Sequence, residues 1–216
     1  MPQSVSIRLL SGFALLWSAC IAHKEEPATA VSAEPFQIIE VRDEPIQPLP
    51  LQLALDPRKV ALGERLFAAP ILSADGQSSC LTCHPLDRGG TDGLRYSKGF
   101  GGKQAALNTP TVFNVAFHFR LNWNGAFLEL EEHLGKPLAG LMGTSVPEVI
   151  KRLSQDIVWQ RSFADIYPDG LTDANFRDAL AMYQRSLITP NAPFDRYLRG
   201  DGNALTSEER AGYELF

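Results

Sequence analysis

The sequence predicts an all-α domain with long irregular loops. Three observations carry this: apolar residues recur at helical spacing in separate stretches, capping signals stand at the heads of those stretches, and no long alternating strand pattern or internal repeat occurs. With 216 residues, the chain has room for one sizeable domain and a leader. Its 44% hydrophobic and 21% charged residues suit a packed core rather than wholesale disorder. Net charge is −5 and the Lys and Arg residues are dispersed, which argues against a nucleic-acid surface.

The elements follow in order. Asp56-Pro57 is an N-cap followed by proline at the first helical position, and Val60, Leu62, Leu66 and Phe67 make an apolar stripe after it. Leu72 to Ser79 reads as a loop leading to two cysteines. Residues 85–109 are Gly-rich and aperiodic, an irregular segment. A helix is expected over Phe127 to Leu138. Ser145 with Glu148 forms a capping box ahead of Val149, Ile150 and Leu153. Thr172 caps a further helix in which Phe176, Leu180, Tyr183 and Leu187 recur, and Thr206 with Glu209 opens a last one.

Residues 1–20 read as an export signal: Arg8 is the positive region, Leu9 to Trp17 a short apolar run, and small Ser18 and Ala19 lead to Cys20. The run is too short for a permanent membrane span. Its small-small-Cys ending resembles a lipoprotein processing site, making Cys20 a lipid anchor, although Trp17 replaces the expected leucine; ordinary cleavage nearby is the alternative. Residues 21–50, with Pro27, Pro35, Pro45, Pro48 and Pro50, read as a linker or as an arm on the domain surface, and residues 51–216 as the domain. The protein is expected in the periplasm.

Cys80-Leu81-Thr82-Cys83-His84 carries the chemistry. In Cys-x-x-Cys-His both thiols bond covalently to a haem and the adjacent histidine reaches its iron, so the domain reads as a cytochrome c-like haem domain with one haem c. Thioredoxin-like redox chemistry and a zinc site compete for Cys-x-x-Cys, but neither a βαβ pattern nor a second cysteine pair is present. The other side of the iron separates two functions. A sixth protein ligand makes an electron carrier, and an open site admits peroxide. The available side chains are His118, His133, Met142 and Met182; Met182 lies on a helix stripe and reads as core, and His118 between two phenylalanines reads as packed.

From about Asp56 to Phe216 the chain resembles the N-terminal half of bacterial diheme cytochrome c peroxidases, a superfamily that includes the enzymes maturing methylamine dehydrogenase. The matching stretches are Leu62-Gly63-Glu64-Arg65-Leu66-Phe67, Leu72-Ser73-Ala74-Asp75-Gly76, Asn108-Thr109-Pro110-Thr111-Val112-Phe113-Asn114, Trp123, and Ala192-Pro193-Phe194-Asp195-Arg196-Tyr197-Leu198-Arg199-Gly200-Asp201. The resemblance implies a peroxidatic haem with His84 as proximal ligand, Trp123 between two haems as an electron relay, and Asn108 at an interdomain calcium site. It also implies hydrogen peroxide as substrate and a small cytochrome or copper protein as electron donor. A second haem motif is expected within a few residues of Phe216, from a second haem domain or a partner chain such as a homodimer.

Three departures stand out. Phe100 occupies the place of a switchable distal histidine, His133 that of an active-site glutamine, and the acid–base glutamate falls at or near Gly143. Breaking the O–O bond heterolytically needs a group that moves a proton between the two oxygens, and His133 titrates in the right range. The competing reading makes it a surface histidine beside Glu131 and Glu132. Besides the peroxidase, a carrier cytochrome with Met142 or His133 as sixth ligand, or a haem protein oxidising a partner protein, stays open.

Overall fold

The computed structural model describes residues 45–216, so the expected signal segment, Cys20 and linker residues 21–44 lie outside the described residues. Two helices make the frame. Helix α1 (Pro57–Phe67) is capped by Asp56, whose carboxylate accepts the Arg58 N–H at 2.9 Å. It buries Leu62, Leu66 and Phe67 against α7 (Asp173–Ser186), where Thr172 accepts the Asn175 N–H. The two backbones approach closely at Gly63, where a Cβ would stand 2.0 Å from the Ala179 carbonyl oxygen. Gly63→Ala is therefore expected to push α1 off α7 and to lower unfolding free energy by about 1–3 kcal/mol in a denaturant titration. An unchanged midpoint would contradict this crossing.

The Ser145 capping box forms as expected, with the Glu148 carboxylate accepting the Ser145 N–H at 2.9 Å, and opens α5 (Val146–Leu153). Helix α5 packs on α7 and on a 3₁₀ turn at Pro70–Leu72. A helix absent from the sequence expectation, α6 (Ile157–Ala164), is capped by Asp156 and buries Phe163. Ile157 and Val158, which open it, are exposed, and that broke the apolar stripe. Most of these helices, with Leu134, Leu138 and Met142, share one hydrophobic core. Among the described residues no strand forms; two isolated antiparallel bridges, Lys98 with Gln104 and Leu121 with Phe127, are the extended pairings.

The helix expected over Phe127 to Leu138 is two short ones instead: α3 (Leu130–His133) and α4 (Gly135–Gly140). Phe127 is held in its bridge to Leu121, which keeps the helix from starting there. Pro137 lacks the N–H that would bond the His133 carbonyl four residues back, and its ring crowds that carbonyl, so the break falls at Leu134.

Near the end of the chain, α8 (Pro193–Leu198) and α9 (Ser207–Leu215) enclose a small cluster of Tyr197, Leu198 and Leu205 with Phe194 and Tyr213. The buried Asp195 carboxylate accepts the N–H groups of Leu49 at 2.8 Å and Ala192 at 3.2 Å, and Arg199 donates to the Leu49 carbonyl.

Candidate functional site

The turn that bears the cysteines is built by hydroxyls. Ser73, 1% exposed, accepts the N–H groups of Gln77 and Ser78 at 3.1 Å each and so rounds off the approaching loop. Ser79 N–H then donates to Thr82 Oγ1 at 3.0 Å, closing the head of the one-turn helix α2 (Cys80–Cys83). Both sulfurs and the His84 backbone, which donates to the Cys80 carbonyl at 2.9 Å, are thereby set on one turn.

Both thiols of this turn are shifted upward. Burial pushes the Cys80 thiol up to about 12, with the neighbouring Cys83 adding to it; burial also raises Cys83, helped by Asp92. Redox-active Cys-x-x-Cys motifs lower a thiol pKa instead. Among the described residues no group of three His, Cys, Asp or Glu side chains is placed to hold a metal ion. His84 Nδ1 lies 2.9 Å from the Gly90 carbonyl, so Nδ1–H donates and Nε2 keeps its lone pair. Burial chiefly lowers the His84 pKa, which favours that neutral ligand form. Cys80, Cys83 and His84 thus fit a covalently held haem c.

Gly90 is a residue the sequence reading missed. Its φ is +71°, and a Cβ there would meet Val112 Cγ2 at 3.0 Å. The segment behind it, Asn108 to Asn114, is pinned by Thr111 Oγ1 donating to the Gly89 carbonyl at 2.7 Å and Thr91 Oγ1 donating to the Thr109 carbonyl at 2.9 Å. The irregular segment also lines a cavity of about 570 Å³ with Leu94, Tyr96, Leu107 and Asn108.

Of the remaining predicted residues, Trp123 lies on a short hairpin, to which His133 of α3 and Asn108 are both hydrogen-bonded. Leu121 and Phe127 bridge, Trp123 at the tip is 60% exposed, and its Nε1–H donates to the Asn108 carbonyl at 3.0 Å. His133, half-buried, places Nε2 2.8 Å from Asn122 Oδ1 and meets the Phe127 ring edge-on at 5.4 Å. Burial first, then the nearby His84 and Lys136, lowers its pKa. Glu131 does not pair with it: Arg185 takes that carboxylate at 2.6 and 2.9 Å, and Arg177 bonds the Glu131 carbonyl, fastening α3 to α7. His118 corrects the sequence reading, being exposed rather than packed, beside a Phe119 that is 88% exposed. Asn108 is exposed, and its backbone carbonyl accepts the Trp123 indole N–H.

Phe100 and Gly143 meet directly. Phe100 N–H donates to the Leu141 carbonyl at 2.6 Å, and its ring fills the space a side chain at 143 would need, with Cδ1 2.3 Å from an ideal Cβ. Met142 is 7% exposed within the main core.

Residues 57–203 match the family model of the di-haem cytochrome c peroxidases. The chain belongs to this family. Escherichia coli cytochrome c peroxidase Ccp is 43% identical over 82% of the chain and 39% of its own length. Cytochrome c551 peroxidase of Pseudomonas aeruginosa is 30% identical over 96% of the chain and 59% of its own length, and the methylamine utilization protein MauG of Methylorubrum extorquens 35% over 78% and 49%. The chain therefore spans about two-fifths to three-fifths of the length of these relatives. Among solved structures, a MauG-like protein associated with microbial copper homeostasis superimposes with a TM-score of 0.69 at 30% identity, covering 82% of this chain and 53% of that one. The diheme peroxidase BthA of Burkholderia thailandensis shares the fold, with a TM-score of 0.63 at 24% identity, over 75% of this chain and 46% of its own. As a di-haem peroxidase family member the chain uses haem c, and its sequence holds one Cys-x-x-Cys-His motif.

Proposed function

We propose that this chain is the peroxidatic haem unit of an exported cytochrome c peroxidase, reducing hydrogen peroxide with electrons from a small cytochrome or copper protein. One observation carries the reading: in a member of this family, Cys80, Cys83 and a neutral His84 with Nδ1 tied to Gly90 present a single ligand nitrogen beside two attachment sulfurs. A haem held there would supply an iron able to bind peroxide and help break its O–O bond. His84 would ligate that iron, its ring orientation fixed by Gly90 and walled by Phe67 at 6.3 Å. His133 handles the proton that passes between the peroxide oxygens, with Nδ1 as the accepting atom. Trp123 relays electrons toward the site from a second haem, which a further domain or a partner chain contributes. Asn108 offers one oxygen to a calcium ion. Export through residues 1–20, with Cys20 as a lipid anchor, places the unit in the periplasm.

The carrier reading is less well supported. Met142 is committed to the core, and His133 would have to give up its bond to Asn122 or turn its other nitrogen to the iron. The ferric optical and EPR spectra of the haem-loaded chain, before and after one equivalent of peroxide, test the choice. A high-spin signal that peroxide converts is the expected result. A low-spin signal that peroxide leaves unchanged would overturn the peroxidase and leave a carrier.

A further inference from the structure

We propose that Asn122 is the positioning residue for His133: its amide oxygen fixes the imidazole with Nε2–H bound, leaving the Nδ1 lone pair as the proton acceptor. This rests on the reading of His133 as the group that handles the peroxide proton.

The geometry is local and complete. Asn122 Oδ1 stands 2.8 Å from His133 Nε2, and an amide oxygen can only accept, so the ring nitrogen there must carry hydrogen. Asn122 itself has φ +64°, a left-handed backbone that asparagine tolerates better than most residues, and its carbonyl accepts the Gly125 N–H at 3.0 Å to close the tip of the hairpin. The same hairpin supplies Phe127, whose ring meets the imidazole at 75°, so one structural unit grips His133 on two sides. The helix bearing His133 is fastened independently through Glu131 to Arg185 and Arg177.

The charges around the ring explain why an amide suits this position. Burial first, and then the Lys136 ammonium from α4, disfavours a positive charge on His133. Of the acids on or next to α3, Glu129 and Glu131 are taken up by Arg185, and Glu132 is exposed. Asn122 thus holds the ring without contributing a charge, and the imidazole stays neutral and basic at Nδ1. A carboxylate in its place would keep the hydrogen bond but favour the imidazolium. Because Trp123 follows directly and is anchored to Asn108, the hairpin tip is fixed at two points, and the side chain at 122 cannot wander from His133 without moving the indole as well.

Three variants of the haem-loaded full chain test the proposal, read as the second-order rate of reaction with hydrogen peroxide across pH. Asn122→Gly keeps the left-handed backbone and removes only the amide; it is expected to slow the reaction about 10-fold or more with an unchanged thermal midpoint. Asn122→Asp is expected to retain the rate at high pH while its acid limb moves up by about one unit or more, since the base must be neutral to accept a proton. In a His133→Ala background, Asn122→Gly is expected to add nothing. If His133→Ala is slow but Asn122→Gly reacts like the parent, the positioning role is overturned and the proton-handling role stands. If His133→Ala reacts like the parent, the proton-handling reading fails and takes this one with it. Equal losses in the Gly and Asp variants with an unmoved pH profile would make Asn122 a purely structural residue.

Discussion

Phe67→Ala is expected to lower unfolding free energy by about 3–5 kcal/mol, a large share of what a domain of this size possesses. Phe67 is 2% exposed at the end of α1, with Tyr183 of α7 at 5.2 Å on one side and His84 at 6.3 Å on the other. Truncation opens a cavity that neither neighbour can close, since Tyr183 is set by α7 and His84 by its bond to Gly90. The loss is also expected at the site. The wall that buries His84 disappears, water gains access to the imidazole, and the lowering of its pKa by burial shrinks. Denaturant titration of the variant measures the first effect. Phe67→Leu, which refills most of the volume, is expected to cost under about 1.5 kcal/mol. A loss below about 1 kcal/mol for Phe67→Ala would mean that the attachment turn is supported from elsewhere.

The second large effect is expected at Gly143, the place where the family resemblance puts an acid–base glutamate. Gly143→Glu alone is expected to destabilise by about 2–5 kcal/mol. A left-handed residue, φ +67° here, costs about 1–2 kcal/mol for a side chain-bearing residue, and overpacking adds about 1–3 kcal/mol. The clash cannot be relieved by a rotamer change. An ideal Cβ lies 2.8 Å from Phe100 Cγ, near the root of that ring, and the Phe100 backbone is bonded to Leu141. Adding Phe100→Ala is expected to recover the packing part and leave the backbone part. A double-mutant cycle by denaturant titration reads this directly, and strictly additive values would show that the two residues do not compete for the same space.

Much of the frame was legible in the sequence because its signals are local. Asp56-Pro57, Ser145 with Glu148, Thr172, and Thr206 with Glu209 each cap the helix they announce. Where burial came from outside the helix, the pattern failed. Helix α6 exposes Ile157 and Val158 and gains its place through Phe163, and the stretch from Phe127 is diverted by a partner at Leu121 that no helical period reveals. Pro137 was a readable warning of the break at Leu134. At the site, Cys80, Cys83 and His84 were visible as a motif, and their fit is a matter of one turn. Gly90 and Asn122 were not visible, because their roles depend on which carbonyl or imidazole the fold brings beside them. His118 shows the limit of neighbour-based reading: two flanking phenylalanines did not bury it.

The contact between Phe100 and Gly143 constrains the order in which an ancestral chain can have acquired the two residues. Phenylalanine at 100 occupies the space that a Cβ at 143 would need, whereas glycine at 143 leaves that space free. A lineage passing only through folded intermediates accepts the glycine first and the ring second. Once both are present, a side chain at 143 is costly in a single step, and prior change at 100 lowers that cost. Homologues should therefore include chains with glycine at 143 and a smaller residue at 100, while the converse combination should be missing.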